Sequence, residues 1–527
     1  MNPRDPGKPA VQSLRVENGL YTRSPIEIYA STLSAEPGDT VTLHVSTTAK
    51  RFHLQIARVG VTDQVVWTKN DSPGRLTPTP EDAWEKGCDW PVTESLQIPK
   101  HWRLGFYMIS AITADDLVPV TTAYAFVVVR AAKPAAKILL VHPTATYGAY
   151  NSYGGASFYA KRNFQLKGGF IGGESRLSFL RPWMPGLIWK PELLSYNAVS
   201  VPGLEPQIGD SDFDERGINQ RTGLDIGAYC AGFDNWDRIF VRWLEMNGYV
   251  VDHATSSDLE LHPELLGRYR LMLSVGHDEY WSWGMRDTVE SFVAKGGNVC
   301  FFSGNVAVWQ IRYEDKGNTV VCYKDAIEDD PLFNSKSEHL TATLWSSKVV
   351  GRPEMSLTGL SCHYAGAMGF LGVAPQGLGG YLVYRPEHWV FKGAGLALAD
   401  VLGHASKIIH FEVDGCPIRM EYGLPFPGTD YVGPASMEIL GICPTGAPEG
   451  PVGGSGRRAQ LEAEKKLFGA THWNDPMLKK CGHAVMGIYT NNGTVFAAGT
   501  TDWTNGLTGK DPAVERVTKN LLDRLAL

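Results

Sequence analysis

Cysteine is scarce: eight in 527 residues, at positions 88, 230, 300, 322, 362, 416, 443 and 481. No two are close enough for a CxxC pair, which excludes the common zinc and redox motifs. Several sit in apolar strand-like runs, as Cys300 does in NVCFF, and read as buried thiols of a reducing compartment. Long apolar runs are also missing. No stretch approaches the ~20 residues a spanning helix needs, so no membrane segment is expected. The opening MNPRDPGKPAVQS has no apolar core, so no signal peptide is expected and the default location is the cytoplasm. An excess of basic charge is absent too. Lys plus Arg number 49 against 56 Asp plus Glu, a net charge of −7, which argues against a general nucleic-acid or anionic-membrane binder. Internal repeats and low-complexity tracts are not evident.

What is present is an ordinary globular balance, 43% apolar and 20% charged residues, with 57 glycines and 32 prolines to make turns. The length exceeds what one core supports, so at least two domains are expected. Residues 1–133 carry short β-rich runs (IEIYAS, TVTLHVST, FHLQIARV, GFYMISAIT, AYAFVVVR) separated by turn signals, which predicts a β-sandwich of the Ig or lectin type. AAKPAAK at 131–137 reads as a linker. Residues 134–527 then alternate buried strands (KILLV, YVVDHAT, RLMLSVG, NVCFFSG) with helices at 234–249 and 285–297. That alternation predicts an α/β domain on a parallel sheet, with less regular β-rich insertions between 310 and 480. Such sheets bind ligands at the carboxyl ends of their strands.

Two motifs fall at those ends. SVGHDEYW presents His277, Asp278 and Glu279 where a strand stops. In extended chain alternate residues share a face, so His277 and Glu279 can enter one site, suited to a metal or to acid–base work. The plainer reading is a surface turn before a capped helix. The stretch after KILLV reads as a loop holding Tyr147, Tyr150, Tyr153 and Tyr159. Aromatic packing explains such a cluster without any chemistry. Phenolate, however, is a hard anionic donor that suits Fe³⁺ better than Zn²⁺.

Taken in order, TYGAYN, YGGASFY, RLSFLRP, FVRWLEMNGYVVD, SVGHDEYW, GGNVCFFSGNVAVW and FEVDG resemble the large subunit of N,N-dimethylformamidase and its relatives, from about residue 135 onward. The N-terminal sandwich would match that family's lectin-like module, and the α/β half an amidotransferase-like fold. The resemblance implies a mononuclear Fe³⁺ bound by Tyr150, Tyr159 and Glu279, with Tyr147 and Tyr153 as rivals for the first tyrosine. His277, Glu412, Asn305 and Lys324 are the catalytic or pocket residues it implies. Asp278 stands where the family pattern has proline. The implied reaction is hydrolysis of the C–N bond of a small N-substituted amide by metal-activated water. The expected partners are that substrate, further copies of the chain and a small accessory subunit. Two other classes compete. A cysteine glutaminase would use Cys230 in GAYC as its nucleophile, and a non-catalytic carbohydrate-binding protein would use the sandwich and the tyrosine loop.

Overall fold

The computed structural model describes residues 24–115, 118, 120–159, 173–190, 224–225, 227–365, 379–446, 481–509 and 511–527. In Thr40–Thr47 and Arg51–Arg58 buried and wetter side chains alternate over the first six positions, as in a strand with one wetter face, and the C-terminal ends are buried throughout. They belong to two sheets. One has three antiparallel strands in the order Ile26–Ala30, Thr40–Thr47, Glu94–Gln97. The other has five, in the order Ser34–Ala35, Thr122–Val129, Gly105–Thr113, Arg51–Arg58, Gln64–Pro73. Ile28, Leu43, Leu54, Phe106 and Val127, from both sheets, lie in one buried apolar cluster.

From Ile138 the chain changes character. Ile138–His142 and Leu271–His277 are buried along their whole length, as strands covered on both faces must be. Val251–Thr255, Ile138–His142, Leu271–His277, Asn298–Gly304 and Gly493–Ala497 run parallel in that order. Helices cover them. Asp237–Met246 turns Phe240, Val241, Trp243 and Leu244 inward. Trp283–Ala294 starts where Ser282 Oγ accepts the amide of Met285 at 3.2 Å. Pro512–Leu525 starts on Asp511, which caps Ala513 and Val514.

The sheet is mixed, not purely parallel. Past Gly493–Ala497 the order continues through Cys481–Asn491, Glu438–Gly446, Tyr381–Val383 and Val401–Leu402, each antiparallel to its neighbour. A single residue, Asn492 at φ +60°, separates Asn491 from Gly493. That leaves room for a hairpin and none for the crossover a parallel pair requires. One local expectation also changes. Residues Thr144–Tyr150, expected as loop, form a helix, while the FEVDG stretch around Glu412, within the region expected to be β-rich, forms no strand.

The first strand, Ile138–His142, has the next strand in sequence on one side and the third on the other. The connections therefore diverge between Ile138–His142 and Leu271–His277, and it is in the crevice at such carboxyl ends that sheets of this kind bind ligands. Among the described residues no helix is long and apolar enough to cross a membrane.

Candidate active site

The crevice is furnished by the two segments that leave those strands. Thr144–Tyr150 follows the first strand and carries Tyr150 at its last turn. Arg181 then fixes the chain beyond it, donating to the carbonyls of Asn151, Tyr153 and Ala156. This returns Tyr159 onto Tyr150, with ring centroids 4.3 Å apart.

The second segment begins at Gly276, whose φ of +73° turns the strand end outward. His277 and Glu279 then enter the same space, with His277 Nε2 3.3 Å from Glu279 Oε2. The Glu279 amide donates to Thr146 Oγ1 at 3.0 Å, which ties the two segments together.

Three oxygen donors converge on one point. Tyr150 Oη donates to Glu279 Oε2 at 2.9 Å, and Tyr159 Oη reaches Glu279 Oε1 and Oε2 at 2.8 and 2.9 Å. Trp309 Nε1 donates to Glu279 Oε1 at 2.9 Å, and Tyr280 Oη donates to Tyr159 Oη at 2.7 Å. Burial, then the Glu279 charge, pushes the pKa of both Tyr150 and Tyr159 well up. Burial raises that of Glu279 as well. Two phenols and a carboxylate, all hard oxygens, would share excess negative charge once deprotonated. This donor set fits a hard, highly charged cation such as Fe³⁺.

Beside it stands a second group. His277 Nδ1 donates to the carbonyl of Cys230 at 2.7 Å, which fixes the ring and turns Nε2 to Glu412 Oε2 at 2.6 Å. Burial opposes the imidazolium, yet the charges of Glu412 and Glu279 raise its pKa to about 9. Asn305 Nδ2 donates to Glu412 Oε2 at 2.9 Å. Glu412 reaches the site from an irregular segment. Phe411 N donates to Asp502 Oδ2 at 2.7 Å, and Thr501 N to the Glu412 carbonyl at 3.0 Å.

Lys324 Nζ lies 3.1 Å from the centroid of the Tyr159 ring, and burial lowers its pKa to about 8. Its ammonium, like Asn305 Oδ1, is buried with no hydrogen-bond partner among the described residues.

All seven residues singled out from the sequence therefore meet here. The two rival tyrosines do not. Tyr153 Oη donates to Glu27 Oε2 at 2.9 Å, toward the N-terminal sheets. Tyr147 packs edge-on against Phe126 at 6.4 Å. Thr146, Tyr280 and Trp309 were not singled out from the sequence, although each lies inside a motif that carries the family resemblance. Cys230 ends a one-turn helix, Gly227–Cys230, and burial pushes its thiol pKa well up, the reverse of an activated nucleophile.

The sequence model of the N,N-dimethylformamidase beta subunit-like family, C-terminal part, matches residues 53–517. The chain belongs to this family. The match starts within the N-terminal sheets, well before residue 135. Among curated relatives, an N,N-dimethylformamidase beta subunit from an Alcaligenes species is 36% identical over 77 residues, 14% of this chain and 10% of that protein. One from Paracoccus aminophilus is 36% identical over 74 residues, again 14% and 10%. The aligned stretches thus span about a tenth of the length of these relatives.

Proposed function

We propose that this family member is an iron-dependent amidohydrolase that cleaves the C–N bond of a small N-substituted amide with water. The observation that carries the reading is the meeting of Tyr150, Tyr159 and Glu279 beside the His277–Glu412 pair. The names of the two curated relatives point to the same class of substrate. Tyr150, Tyr159 and Glu279 would hold the ion. A ferric ion there would supply Lewis acidity toward the amide carbonyl and the attacking water.

The chain's own groups supply the rest. Glu412 takes a proton from the water and delivers it to the leaving amine. His277, held at Nδ1 by a backbone carbonyl, keeps the Glu412 carboxylate in position from the other side. Lys324 and the Asn305 amide donate hydrogen bonds to the oxygen where charge develops. Water adds to the carbonyl carbon, the C–N bond breaks, and a carboxylic acid and an amine leave.

The strand runs and the linker at 131–137 read the N-terminal sheets as a β-sandwich before a boundary near residue 133, which the resemblance would match to a lectin-like module, with the parallel strands amidotransferase-like. Apolar residues of both N-terminal sheets lie in one buried cluster, which supports a sandwich, and that cluster runs on into the α/β part. A cytoplasmic homo-oligomer remains the expectation from the sequence, and the resemblance adds a small accessory subunit as the partner to look for.

The test is turnover of a panel of small N-substituted amides by the full-length chain, with iron content measured in parallel. Glu412→Gln should keep its iron and lose turnover by roughly 10²–10⁴-fold, the usual contribution of a general base. Turnover unchanged in Glu412→Gln and in Glu279→Gln would sink the proposal.

A further inference from the structure

Away from that site, three ligating side chains of three different kinds meet. Glu354, Cys362 and His363 each place a ligand atom within 4.8 Å of the others. The local chain is shaped to gather them. Glu354 begins the short helix Met355–Thr358, and Gly359 at φ +77° reverses the chain behind it. Ser361 Oγ then donates to Glu354 Oε1 and accepts the amide of His363, so it fixes both ends of the cluster. His363 Nε2 lies 3.8 Å from Glu354 Oε1 and 2.9 Å from Ser346 Oγ.

Glu354 supplies the second observation. It is 1% exposed, and among the described residues its Oε2 has no hydrogen-bond partner. Within 4 Å, among the described residues, its one ion-pair neighbour is His363, and the Arg286 charge reaches it only from farther away. A carboxylate so placed is costly unless a partner or a metal neutralises it.

We propose that Glu354, Cys362 and His363 bind a divalent transition-metal ion of the zinc class, at a site distinct from the amide-cleaving centre. A thiolate, an imidazole and a carboxylate form the borderline donor set that zinc takes, whereas the phenolate-rich centre lacks both sulfur and a coordinating imidazole. The charges balance: one carboxylate and one thiolate offset the ion, the imidazole stays neutral, and the thiol proton leaves to solvent.

The ion would brace the catalytic segment. Ser361 and Gly415 pair in both directions, N to O at 2.7 and 2.9 Å, and Gly415 lies three residues beyond Glu412. The ion would hold the turn on which that pairing rests.

The experiment is metal analysis of full-length protein produced with zinc and iron both supplied. About one zinc per chain is expected beside the iron, following the ligand preferences of the two donor sets. Cys362→Ala and Glu354→Gln should lose the zinc and keep the iron, whereas Tyr159→Phe should lose the iron and keep the zinc. Loading the wild-type chain with Co²⁺ gives a reading that needs no variant, because a thiolate ligand produces a near-ultraviolet charge-transfer band. A Co²⁺ spectrum without that band overturns the site. So does zinc that stays in folded Cys362→Ala protein, or zinc that leaves with Tyr159→Phe.

Discussion

Glu279 is the residue on which the candidate centre turns, because four side chains direct a hydrogen or a ring edge at its two oxygens. Tyr150, Tyr159 and Trp309 donate to it, and His277 stands 3.3 Å away. The phenol oxygens can become ligands by losing their protons to a cation. The indole cannot, and serves to aim the carboxylate. The variants should separate accordingly. Tyr150→Phe, Tyr159→Phe and Glu279→Gln should each leave a folded, iron-poor chain without the visible phenolate band. Tyr147→Phe and Tyr153→Phe should keep both iron and colour, because their hydroxyls are directed elsewhere. Trp309→Phe should fold and lower iron affinity by roughly 10–100-fold, the usual effect of removing a group that orients a ligand. Metal analysis and the visible spectrum check all six, and full iron retention in Tyr159→Phe would remove it from the ligand set.

At the level of elements, the strand end at Gly276 couples the centre to its surroundings. A Cβ there would stand 2.7 Å from Trp236 Cβ and 2.9 Å from its ring, on a backbone already at positive φ. Trp236 Nε1 donates to Asp502 Oδ1 at 2.8 Å, and the other oxygen of Asp502 receives the amide of Phe411 beside Glu412. Gly276→Ala should therefore cost about 1–3 kcal/mol of stability, from overpacking and strain. It should also reduce turnover more than iron content, since the displacement runs toward Glu412. Thermal unfolding and metal analysis separate the two effects.

This coupling also explains what could be read in advance. His277 and Glu279 were legible because a strand end presents alternate residues to one face, a rule confined to neighbours in sequence. Asn298–Gly304 was legible as a strand because burial on both faces requires an unbroken apolar run. Glu412 had no such signal. Its segment is held by Thr501 and Asp502, some ninety residues on, so no local period marks it. The antiparallel half of the sheet was hidden likewise, since its pairings depend on the Asn492 turn and on strands far apart in sequence. The helix Thr144–Tyr150 was obscured by Gly148, which lies against Phe179 with no room for a Cβ. Glycine signals a loop by propensity, but here packing decides.

For the whole molecule, the question is whether the N-terminal sheets and the α/β part behave as one body. The apolar cluster that contains Ile28 and Val127 also contains Leu140, Phe240 and Leu273, so no polar layer divides them. Phe106, on a strand of the five-stranded sheet, stacks on Phe233 with centroids 3.6 Å apart. Arg58 pairs with Glu245 on the helix Asp237–Met246 at 2.7 Å. Glu27 accepts from Tyr153, in the turn between the two tyrosines of the centre. Loosening the N-terminal sheets would therefore expose apolar surface on the α/β part and release the chain that positions Tyr159. The full chain should unfold in a single calorimetric transition. Phe106→Ala should lower that transition by an amount equivalent to about 3–5 kcal/mol, the usual cost of truncating a buried Phe. Iron should be released at the same lowered temperature. Two resolved transitions, with iron leaving only in the one that Phe106→Ala does not move, would show that the sheets and the centre are energetically separate.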